Sequence, residues 1–102
     1  MTIILDPRAK NEFHRQVEFY LQRSLEAAET FIEQFEEAYE LIATFPFIGP
    51  KVDENFRKVR FKSYPFALIY SIEVDEIFII AVAHDRRNPD YWKKRRKNNA
   101  AN

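Results

Sequence analysis

Apolar positions recur along the chain first at helical spacing and then at strand spacing. Thr2 to Leu5 form a short apolar run suited to a strand, closed by Asp6-Pro7, where aspartate can cap a helix and proline fits its first turn. Ala9, Phe13, Val17 and Tyr20/Leu21 then repeat at helical spacing with Arg8, Glu12, Arg15 and Glu18 between them, which predicts one core face and one wet face. Ser24 offers a second N-cap with Glu26 near the first turn. From there Ala27, Ala28, Phe31, Ile32, Phe35, Ala38, Tyr39 and Ile42 carry an apolar stripe for about five turns. Phe45-Pro46-Phe47-Ile48-Gly49-Pro50 ends this longer helix, because proline cannot continue it. A short link near Gln22-Arg23 makes the two helices an antiparallel hairpin.

The period then falls to two. Phe56 to Lys62 sets Arg57, Val59 and Phe61 against Phe56, Lys58, Arg60 and Lys62, the pattern of a strand with one wet face. Ser63-Tyr64-Pro65 turns into Phe66 to Glu73, and Val74-Asp75-Glu76 turns into Ile77 to His84. The last strand is apolar on both faces, so it is expected at the centre of the sheet with the hairpin over one side. The expected class is α+β: a short first strand, a helical hairpin and an antiparallel sheet in the order β-α-α-β-β-β. Residues 1–92 form the domain and 93–102 a basic, flexible tail.

Length and composition agree with one self-sufficient domain. A chain of 102 residues, 46% hydrophobic and 16% aromatic, can build a single core and lies far from the composition of disorder. It has no cysteine, so no disulfide framework or thiolate metal site is available. His14 and His84 are its only histidines and stand on distant elements, so no metal site is expected. One glycine cannot make a phosphate loop, and no cofactor is expected. The N-terminus lacks the basic and apolar regions of a signal peptide, and no apolar stretch reaches the length of a membrane span. A cytoplasmic protein is expected. The net charge of zero hides an asymmetry: residues 1–54 hold 5 basic and 11 acidic side chains, residues 55–102 hold 11 and 5, so the halves carry about −6 and +6. A surface facing a polyanion or an acidic partner would read this way; so would ordinary solvated faces.

The segment His84-Asp85-Arg86-Arg87-Asn88-Pro89-Asp90-Tyr91-Trp92 follows the central strand, where a scaffold presents functional groups on its rim. With Phe45-Pro46-Phe47-Ile48-Gly49, Arg57-Lys58-Val59-Arg60, Tyr64-Pro65-Phe66-Ala67-Leu68-Ile69-Tyr70 and Ala83-His84-Asp85-Arg86-Arg87 in this order, the chain resembles the RelE/ParE toxin superfamily over nearly its whole length. The resemblance implies a growth-inhibiting toxin of a type II toxin–antitoxin pair, a plasmid-stabilisation protein neutralised by a cognate antitoxin. Its target would be DNA gyrase, poisoned without cleavage in the ParE-like mode, or the ribosome and its mRNA, cut in the RelE-like mode. An interaction domain that keeps the fold and has lost the activity is the third reading.

RNA cleavage needs an activated 2′-hydroxyl, stabilised phosphorane charge and a protonated leaving oxygen. Lys58 and Arg60 share a strand face, and with Arg86, Arg87 and His84 at the rim they could form a cationic phosphate site, His84 serving as acid or base. Ala67 stands where RelE-like nucleases often place an arginine, and no general base is evident, which favours the ParE-like branch. The plainer alternatives are a solvated strand face at Lys58, Arg60 and Lys62, a structural hydrogen-bonded His84, and a Tyr91-Trp92 pair that covers the end of the sheet. The run Lys93-Lys94-Arg95-Arg96-Lys97 either binds polyanions or stays mobile. Partner binding is assigned to Arg86, Arg87, Tyr91, Trp92 and this run, with no membrane partner.

Overall fold

The structure, a computed structural model, describes the backbone of residues 1–100 and the side chains of residues 1–95. Strand β1 (Thr2–Leu5) is followed by helices α1 (Pro7–Leu21) and α2 (Leu25–Thr44), then strands β2 (Arg57–Arg60), β3 (Phe66–Ile72) and β4 (Glu76–His84), and helix α3 (Asp90–Ala100). The expected α+β class and the order of the first six elements hold. Asp6 caps α1 through its Oδ1, which accepts from the Arg8 backbone N–H at 2.8 Å, and Pro7 occupies the first turn. Ser24 does the same for α2, its Oγ accepting from the Ala27 N–H at 2.9 Å.

The four strands lie in the order β1-β4-β3-β2. The meander β2-β3-β4 is antiparallel, but β1 runs parallel to β4, so the sheet is mixed and not wholly antiparallel as expected. A two-helix connection carries the chain out and back before the meander begins, which brings β1 beside the last strand in the same direction. No local periodicity encodes that pairing.

Ala9, Phe31, Ala38 and Ile42 of the hairpin pack with Val59, Leu68, Tyr70, Ile77, Ile79 and Val82 on one face of the sheet. The opposite face is also buried, by Phe56, Ala67, Ile69, Ile80, Ala81, Ala83 and Trp92. Phe56 shares its face with Lys58 and Arg60 as the alternation required, yet it is only 4% exposed because Trp92 meets it edge-on with ring centroids 5.2 Å apart. The face read as wet is therefore wet only in part. β3 and β4 pair Ile69 with Ala81 but Tyr70 with Ile79, so Ile80 is an extra residue in β4. This bulge places Ile80 and Ala81 on the same side and reverses the alternation beyond it.

Buried polar groups fix the two connections around β2. Gln34, inside α2, donates to Ser63 Oγ at 2.7 Å and accepts from the N–H groups of Ser63 and Tyr64 at 3.0 and 3.1 Å, so one amide holds the β2–β3 turn against the hairpin. The Tyr70 hydroxyl donates to the Pro46 carbonyl at 2.7 Å and accepts from the Gly49 N–H at 3.1 Å, and burial raises its pKa above the usual phenol range. A Cβ on Gly49 would stand 2.7 Å from both the Lys58 carbonyl oxygen and the Tyr70 hydroxyl. The chain's sole glycine is thus required by close approach, since no residue described has a left-handed backbone. Gly49→Ala is expected to lower stability by about 1–3 kcal/mol, read as a lower urea midpoint with an unchanged slope.

Candidate functional site

The site grows from the bulge. With the alternation reset, Ala83 faces away from the helical hairpin and pairs with Ala67 of β3, which in turn pairs with Arg60 of β2; Ile69 likewise links Lys58 to Ala81. Two alanines in the centre of a row leave a depression where larger side chains would have filled the surface. The result is a pocket of about 230 Å³ floored by Ala67, Ile69 and Ala83 and walled by Val52, Pro89 and Trp92. Lys58, Arg60, Arg87, Lys93 and His84 stand around it with a single carboxylate, Asp85.

The turn after β4 distributes these groups. Asp85 donates its backbone N–H to the Pro65 carbonyl at 2.9 Å and holds the Arg60 guanidinium with its carboxylate. His84 Nδ1 accepts from the Arg86 backbone N–H at 3.0 Å, and its ring meets Phe66 edge-on at 5.0 Å. In the neutral tautomer that this bond selects, the remaining ring nitrogen carries the proton, so His84 can offer a donor but not a lone pair. Arg87 lies over the Tyr91 ring at 3.7 Å, a cation–π contact that leaves its charge unneutralised. Asn88 caps α3, its Oδ1 accepting from the Asp90 N–H at 2.9 Å.

Six of the residues singled out in the sequence therefore come together: Lys58, Arg60, His84, Arg87, Trp92 and Lys93 line the pocket. Arg86 and Lys94 are exposed and do not line it. The side chains of Arg96 and Lys97 lie outside the described residues. The expected boundary after Trp92 falls inside α3, which runs through the basic run without a break.

Arg95 points the other way. Its Nη1 and Nη2 donate to Glu12 Oε1 and Oε2 at 3.0 and 2.9 Å, and Nη1 also donates to the Ile80 carbonyl at 2.9 Å. Glu12 in addition accepts from the Val82 N–H at 3.0 Å, and each side chain is only 12% exposed. Glu12, expected on the wet face of α1, is a buried partner of a residue 83 positions away, a pairing for which the chain carries no local signal. Tyr91 sits beside the pair; burial first, and then the Glu12 carboxylate, push its pKa up to about 12, against the lowering pull of Arg87 and Arg95.

A family model for the ParE toxin of type II toxin–antitoxin systems, parDE, matches residues 3–89. The chain belongs to the ParE toxin family. The matched stretch ends at residue 89, immediately before α3. Among solved structures, one titled "Chromosomal ParDE TA system from P. aeruginosa" is similar in fold, with a TM-score of 0.62 at 14% identity over 82% of this chain and 95% of that one. No curated protein matches the chain. Among the described residues of this ParE-family chain there is no cluster of side chains fit to hold a metal ion, and no helix is long and apolar enough to cross a membrane.

Two expectations follow from the α3 anchor. Arg95→Met leaves Glu12 largely buried without its partner and should cost about 3 kcal/mol of stability, while the double variant Glu12→Leu/Arg95→Met should cost less than the two single changes together. Tyr91, raised in the folded state, contributes stability that is intact below the ordinary phenol pKa and lost as pH climbs towards about 12. Ultraviolet titration of the folded protein should show a tyrosine ionising near that pH, and Tyr91→Phe should remove it.

Proposed function

We propose that this ParE-family chain is a growth-inhibiting toxin that a cognate antitoxin silences, and that it acts as a poison of DNA gyrase by binding, not by cutting RNA. One observation carries the reading: the pocket gathers cations on a small apolar floor, and neither its histidine nor its carboxylate is free of a partner. His84 spends its free lone pair on the Arg86 N–H, and Asp85, the one carboxylate there, is held by Arg60. Ala67 adds no charge where the resemblance to RelE-like nucleases often puts an arginine. What remains is a surface suited to attract and hold an anionic partner. A cytoplasmic site of action goes with this target, and an acidic antitoxin segment laid over the same cations would silence it.

Expression of the chain alone should arrest growth, and co-expression with its antitoxin should restore it. Purified protein with gyrase and supercoiled DNA should yield gyrase-dependent DNA breaks while ribosome-bound message stays intact; cuts in the ribosomal A site without gyrase-dependent breaks would assign the RelE-like mode instead. Lys58→Ala with Arg87→Ala should abolish arrest with little change in melting temperature, since neither the half-exposed Lys58 nor the exposed Arg87 has an ion-pair partner among the described residues. Arg86→Ala, outside the pocket, should remain toxic. Neutralising Lys93, Lys94, Arg96 and Lys97, with the Arg95 anchor kept, should slow antitoxin association at low salt more than it speeds dissociation.

A further inference from the structure

The pocket has the size and chemistry of a site for a specific small group, beyond a general positive patch. At about 230 Å³ it exceeds the roughly 150 Å³ cavity that takes one benzene ring and falls below the roughly 300 Å³ at which drug-sized sites begin. A space of this size, open to solvent, seats one mononucleotide with part of it outside the mouth; it does not seat a dinucleotide. Asp85 neutralises Arg60, whereas Lys58, Arg87 and Lys93 have no ion-pair partner among the described residues. Three open positive charges exceed what one carboxylate offers and suit a phosphate monoester, which carries about −1.5 to −2 near neutral pH with several strong acceptor oxygens. Behind the cations the floor is flat and apolar at Ala67 and Ala83, and the edge of the chain's single tryptophan closes the far side.

We propose that the pocket binds one nucleoside monophosphate unit, its phosphate between Lys58, Arg87 and Lys93 and its nucleoside half over Ala67 and Ala83 beside Trp92. The inference rests on the reading of this pocket as the functional surface and adds the class of ligand it takes. The same unit could come from a free nucleotide or from the phosphorylated end of a DNA strand. His84, a donor at its remaining ring nitrogen, can serve either the phosphate or a base carbonyl.

The test is calorimetric titration of the full chain with thymidine 5′-monophosphate, thymidine and inorganic phosphate, with Trp92 emission as a second signal from the pocket wall. Thymidine monophosphate should bind at least about tenfold more tightly than either half alone, since both the charged and the apolar contacts are then made. Lys58→Ala/Arg87→Ala should weaken it by about tenfold or more. Ala67→Leu, which fills the floor, should block the nucleotide while sparing inorganic phosphate. If Ala67→Leu does not fold, the surface variants decide alone. Absence of binding, equal affinity for inorganic phosphate, or an undiminished affinity in the cation variant overturns the proposal. A 5′-phosphorylated oligothymidylate that binds more tightly than the mononucleotide assigns the site to a strand end, and the reverse order to a free nucleotide; both uphold it. Loss of growth arrest is scored separately, so a toxic chain that binds no nucleotide refutes the ligand and leaves the toxin reading standing.

Discussion

Past Leu5 the first strand no longer follows β4, and the Ile80 carbonyl and Val82 N–H are satisfied by side chains instead of a neighbouring strand. Unpaired and buried, each group would cost about 1–3 kcal/mol. The Glu12–Arg95 pair satisfies both, and because Glu12 comes from α1 and Arg95 from α3, the same bonds hold the hairpin, the sheet edge and the last helix in one arrangement. A buried pair of this kind is a modest source of net stability, since two charges must leave water to form it. Its larger effect is positional. Among the described residues of α3, Trp92 and Tyr91 are the others packed against the sheet.

The bulge at Ile80 works together with the anchor. By adding one residue to β4 it turns Ala83 away from the hairpin and next to Ala67, and α3, once anchored, supplies Trp92 and Lys93 as a wall over those two alanines. Depression and wall have separate origins, one in strand register and one in helix placement. Both are needed before the cations of β2 and of the turn after β4 face a common space.

The pocket gathers positive charge without a free histidine or carboxylate beside it. Its cations come from β2, the turn after β4 and the start of α3, while the two groups nearest to acid–base competence are committed elsewhere, His84 to the Arg86 backbone and Asp85 to Arg60. The segment that closes the pocket lies beyond the family match at residue 89.

By itself the sequence determined the elements whose signals are local. The caps at Asp6 and Ser24, the stop at Phe45-Pro46, the alternation of the strands and the order that marks the family were all legible there, because caps, periodicity and turn residues act within a few positions. So were Lys58, Arg60, His84 and Arg87 as site candidates, since they stand on a strand face and at a rim. Tertiary structure alone decided the parallel pairing of β1 with β4, the burial of Glu12 against Arg95, the helical state of the basic run and the exclusion of Arg86 from the pocket. Each of these depends on partners far apart in the chain, or on one inserted residue that reverses a strand's alternation. Glu12 shows the difference most directly. On its own helix it is one more polar position on a wet face, and only a guanidinium 83 residues later makes its burial favourable.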